Sequence, residues 1–193
     1  MIALWSAVAA ASNTALTGAE GHPRARLPLP VHLASFGNAT LDEAAARAVD
    51  DWNAVARDVL GVSVFARIDR VEDAQVLVRL EPADASRLMG VTELESEDGV
   101  IRLPVRIAVA APAARGQVSR DLVLYQVLAH ELGHALGLAH VSDPRSLMCC
   151  IAGEVDLNDA ATREAYVAAR RHPDVRSAAA QLAEHYQRFW SSR

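Results

Sequence analysis

The sequence predicts an α+β fold, a mixed, twisted sheet covered by one long helix, with a second helix and shorter helical segments in the C-terminal half. Three observations carry that expectation. Residues 41–60 repeat apolar side chains at helical spacing and stop at Gly61; short β-branched runs fill 31–109 between turn-forming clusters; and 121–138 returns to helical periodicity with no proline inside it. With 193 residues, 51% hydrophobic and 22% charged, the chain is large enough for one globular domain with a proper core. A formal net charge of −5 and the lack of any basic stripe argue against a nucleic-acid binder.

Residues 1–16 are apolar, with Ile2, Leu4, Trp5 and Val8 leading into Ala9-Ala10-Ala11-Ser12. They read as the hydrophobic part and cleavage region of a secretory signal without its basic start, or as a loose tail; the former implies a secreted or periplasmic protein. The run falls short of the ~20 apolar residues a membrane span needs, and no later stretch is long enough. Pro23, Pro28 and Pro30 make 17–30 a linker, in which His22, like nearby His32, reads as a surface or strand residue. The expected organisation is a leader and linker over 1–30, a folded domain over 31–172 and a helical extension over 173–193.

Within the domain, 31–36 forms a first strand, and Thr40 with Glu43 forms a capping box that opens the long helix. Leu41, Ala45, Ala48, Val49, Trp52, Val55, Ala56 and Val59 make its apolar face, with Trp52 as a core residue. Strands follow at 62–68 and 74–80, and residues 82–87 break the pattern. Residues 90–95 and 100–109 read as an antiparallel pair joined through Ser96-Glu97-Asp98-Gly99. After the second helix, 157–171 is helical behind an Asp156 cap and ends at Pro173. Residues 177–190 carry an apolar stripe of Leu182, Tyr186, Phe189 and Trp190, which either packs on the domain or faces a partner.

The chemistry concentrates in residues 130–140. His130 and His134 stand one helical turn apart, so both imidazoles can reach one ion. Glu131 follows the first ligand and points beside the metal, which suits a base rather than a ligand. Gly137 can adopt the left-handed conformation that ends a helix and turns the chain sharply, carrying His140 back as a third ligand. Three imidazoles leave one tetrahedral position open, the mark of a catalytic zinc site. A plain buried helix would have to place His, Glu, His, Gly and His at these offsets by chance.

His130, Glu131, His134, Gly137 and His140 match the HExxHxxGxxH motif, and the chain thereby resembles the metzincin metalloproteases. Asp143-Pro144-Arg145-Ser146-Leu147-Met148 supplies a candidate methionine turn, and its spacing from His140 is most similar to the matrixin branch. The resemblance implies a zinc endopeptidase acting on protein or peptide substrates. His130, His134 and His140 would hold one Zn2+, Glu131 would be the general base, and Met148 would be the hydrophobic floor of the site. It also implies that the strand near 91–94 is a sheet edge along the cleft, to which an extended substrate can add. Matrixins often carry a propeptide cysteine that blocks the zinc; the linker here has none. Ca2+ often supports matrixin folds, but Asp69, Glu72, Asp73, Glu93, Glu95, Glu97 and Asp98 lack a recognisable loop spacing, and a solvated acidic face is the expectation.

Cys149 and Cys150 follow the methionine. Adjacent Cα atoms about 3.8 Å apart lie below the usual disulfide range, so the pair reads as small apolar residues in the site wall. Cys150 departs from the family, since some metzincins have tyrosine there and matrixins tend to have proline. Two other readings stay open: a silent peptide-binding module, which would have no need of Glu131, and a structural zinc site closed by Cys149 or Cys150. The preferred cleavage residue and the oligomeric state are not legible.

Overall fold

A computed structural model describes residues 16–82, 89–114, 118–150 and 154–192. Of the expected leader only Leu16 lies among them, as does only part of the break at 82–87. Strand β1, Leu29–Leu33, is followed by helix α1, Ala39–Leu60, and strands β2, Phe65–Arg67, and β3, Val76–Glu81. Strand β4, Gly90–Glu93, leads into a small hairpin of β5, Ser96–Glu97, and β6, Val100–Ile101, before β7, Val105–Ala110. Helices α2, Arg120–Ala135, α3, Ala160–Arg171, and α4, Ala179–Ser191, complete the chain.

The five-stranded sheet has the order β2-β1-β3-β7-β4. Its first four strands are parallel, and β4 runs antiparallel to β7 with Thr92 opposite Ile107. The sheet is therefore mixed, with β4 at one edge and β2 at the other. Residues 96–99 do not join β4 to β7 directly. They close the separate hairpin β5–β6, because the Leu103-Pro104 segment interrupts the ladder before β7 begins at Val105.

Helix α1 buries Leu41, Ala44, Ala45, Ala48, Val49, Trp52, Val55 and Ala56, while Val59 stays 37% exposed. Its cap is Asn38 rather than Thr40: the Asn38 Oδ1 accepts from the amides of Thr40 and Leu41. The capping box fails because the helix starts two residues earlier, with Thr40 already inside its first turn. Gly61 ends it in the left-handed conformation, φ 71°. Helix α3 starts behind Asp159 instead of Asp156, its carboxylate accepting from the Thr162 amide.

The N-terminal segment and α4 pack into this body. Gly21 exchanges backbone hydrogen bonds with Gly99 and Ile101. Leu182, Tyr186 and Phe189 of α4 are buried, and the indole of Trp190 donates to the carbonyl of His22. His22, expected on a surface or strand, is fully buried against the end of α2. Among the described residues no helix is long and apolar enough to cross a membrane.

Candidate metal centre

Helix α2 is buried almost all round from Val123 to Ala135, because it lies between α1 and the edge-strand side of the sheet. Polar groups on such a helix need partners. His130 points its Nδ1 at the Leu147 carbonyl, 2.8 Å away, and His134 points its Nδ1 at the Leu138 carbonyl, 2.7 Å away. A carbonyl only accepts, so both rings carry their proton on Nδ1 and present a bare Nε2 lone pair.

Those lone pairs converge. The Nε2 atoms of His130, His134 and His140 stand 3.0, 3.0 and 3.1 Å from one another. Two acceptors at 3.0 Å cannot hydrogen-bond to each other, and only a cation between them makes the arrangement favourable. Imidazole nitrogens bound at ~2.0–2.1 Å in a tetrahedron stand roughly 3.4 Å apart, close to the spacing seen. Among the described residues this is the group of three that can share an ion. Burial and the neighbouring rings hold His130 well below the ordinary imidazole pKa, and burial followed by the His140 ring lowers His134 to about 4. Both are thus neutral near pH 7, the form in which an imidazole can bind a metal. This donor set fits zinc.

The turn after α2 carries the third histidine of the cluster. Gly137 adopts φ 89°, and a Cβ there would collide with the Glu20 carbonyl, so a side chain has neither the conformation nor the room. Met148 is fully buried beneath the helix, its sulfur against Gly133. The Val141 amide donates to the Met148 carbonyl at 3.1 Å, tying the turn that carries His140 to the methionine loop.

Glu131 is fully buried and lies outside the imidazole cluster. Its Oε2 accepts a 2.6 Å hydrogen bond from the Thr92 hydroxyl on β4, and its Oε1 has no hydrogen-bond partner among the described residues. Burial raises its carboxyl to about 7, against the lowering effect of Thr92. Cys149 and Cys150 are corrected: their peptide is cis, which brings the Cα atoms to 3.0 Å, and the sulfurs are joined in a disulfide. The spacing used for the sequence was that of a trans peptide. Among the described residues neither sulfur joins the cluster of the three imidazoles.

A family model described as matrixin matches residues 33–163. The chain belongs to the matrixins. A macrophage metalloelastase of Oryctolagus cuniculus is 54% identical over 35 residues, a match spanning 18% of this chain and 8% of the length of that relative. Matrixins use a catalytic zinc, and the three imidazoles of this matrixin form a group that could hold a metal ion.

Several supporting residues of this matrixin carried no signal in the sequence. Arg170, 8% exposed, donates to the carbonyls of Pro144, Ser146 and Cys149 and so braces the methionine loop from α3. Ser177 accepts from the Leu147 amide. The carbonyls at the end of α2 and in the turn beyond it are met by three distant side chains: His22 donates to Ala135, Tyr186 to Leu136 and Gln181 to Ala139. Only the apolar stripe containing Tyr186 offered a hint. The acidic residues considered for calcium include Glu72 and Asp73, paired with Arg70, and Glu97, paired with Arg102.

Proposed function

We propose that this matrixin is a zinc-dependent endopeptidase acting on protein or peptide substrates, with His130, His134 and His140 as ligands and Glu131 as general base. The convergence of the three Nε2 atoms on one point carries the reading. When bound, zinc supplies Lewis acidity that makes water nucleophilic near neutral pH and polarises a carbonyl. Glu131 takes a proton from the water as its oxygen bonds to the scissile carbonyl carbon, and returns it to the amine nitrogen as the C–N bond breaks. Its Oε2 is anchored by Thr92, which leaves Oε1 for that proton. Met148 floors the site and Gly137 turns the third ligand inward. As a sheet edge, β4 offers main-chain groups to an extended substrate.

The test is digestion of casein by the purified chain with and without chelator. Cleavage should stop when zinc is removed and return when zinc is restored. Glu131→Gln should keep one zinc per chain and lose activity by ~10²–10⁴-fold; near-normal cleavage by this variant overturns the assignment. Export belongs to the same proposal, supported by the apolar leader. Cell fractionation should find the chain outside the cytoplasm, and purely cytoplasmic recovery refutes export.

A further inference from the structure

The general base lies against the edge strand in a fitted cradle. Thr92 is fully buried, and its Oγ1 stands 2.6 Å from Glu131 Oε2 and 3.1 Å from the Glu131 backbone carbonyl. One proton serves one partner, and the shorter, charge-assisted bond goes to the carboxylate. Two residues earlier on the same face of β4, Gly90 makes room: a Cβ there would come within 2.8 Å of both Glu131 Cγ and Oε1, and within 2.7 Å of Val127 Cγ1. Glu131 is thus held between a hydroxyl that grips one oxygen and a bare backbone that accommodates the rest of the side chain. Resting on the reading of Glu131 as the base, we propose that Thr92 is a positioning residue for peptide hydrolysis, its hydroxyl fixing the carboxylate so that Oε1 meets the attacking water. Pairing with Ile107 in β7 locks Thr92 into the sheet, which makes the hydroxyl a rigid reference point.

Thr92→Val keeps the β-branched shape and removes the donor, whereas Thr92→Ser keeps the donor. With a quenched fluorogenic peptide selected from a library digest, Thr92→Val should lower kcat about 10- to 100-fold with KM and zinc content unchanged. Thr92→Ser should recover most of that loss. A readout without turnover uses the metal-free protein labelled at the glutamate carboxyl carbon: the Glu131 resonance, assigned by Glu131→Gln, should shift in Thr92→Val and stay near wild type in Thr92→Ser. Wild-type kcat in Thr92→Val overturns the proposal, and so does a Ser variant as impaired as Val, because that places the effect in packing. Active Glu131→Gln would instead overturn the reading of the base itself, a separate result.

Discussion

At the scale of single residues, the centre depends on glycines as much as on ligands. Gly133 lies between the ligand turns of α2, and a Cβ there would collide with the Met148 sulfur and come within 3.1 Å of Trp52 Cζ2. Both neighbours are fully buried and have no open space to retreat into. Alanine in a helix is worth ~1 kcal/mol over glycine, but overpacking a filled core costs ~1–3 kcal/mol. Gly133→Ala should therefore lower the urea midpoint and also weaken zinc in a chelator competition, since Met148 can yield only by moving its loop. An unchanged midpoint would show that the methionine adapts within its pocket. The motif made Gly137 legible through its left-handed turn; Gly133 was not, because its requirement comes from a residue fifteen positions away in the chain.

At the scale of elements, the methionine loop is held to the ligand helix by polar contacts rather than by regular structure. His130 bonds to the Leu147 carbonyl, while Arg170 from α3 collects three carbonyls of the same loop. Arg170→Met preserves length and apolar contact but takes the side-chain donor from the buried Cys149 carbonyl, while the Ser146 carbonyl keeps the Cys149 amide, at ~1–3 kcal/mol for an acceptor left fully desolvated. We expect a stability loss of about 1–3 kcal/mol by urea denaturation and roughly 10-fold weaker zinc binding, because the loop no longer fixes the His130 ring. Full stability with unaltered zinc affinity would remove Arg170 from the support of the site. The edge position expected for 91–94 agrees with β4, and the long helix with α1. The Asn38 cap and the separate hairpin were obscured because competing turn residues on either side satisfy the same local rules.

At the scale of the whole molecule, the segment before β1 and the last helix converge on the back of the site. His22 is held at a pKa of about 4, first by burial and then by Arg26 and His185, against the raising effect of its bond to the Ala135 carbonyl. The ordinary value is 6.5, so between these limits the unfolded chain binds the proton and the folded one does not. Stability from neutral His22 is complete above pH 6.5 and is lost as pH falls toward 4, by on the order of 3 kcal/mol. His22→Gln can still donate to Ala135 and does not titrate. Urea denaturation of both forms across this range should show a shallower pH dependence in the variant, and parallel curves would refute the account. His130 and His134 contribute equally to both curves, so the difference reports His22 together with its coupling to His185.

The sequence by itself placed the three clustered histidines, the neighbouring carboxylate and the turn that brings in His140, because all lie within eleven residues and their geometry follows from helical pitch and one glycine conformation. It also marked the main helices and strands through apolar periodicity. Tertiary structure alone decided what fixes those groups. The Thr92 hydroxyl reaches Glu131 across 39 positions, His22 reaches Ala135 across 113, and Arg170 reaches Cys149 across 21. Polar side chains have no periodic signature, and their partners are chosen only when strand, loop and helix have packed together.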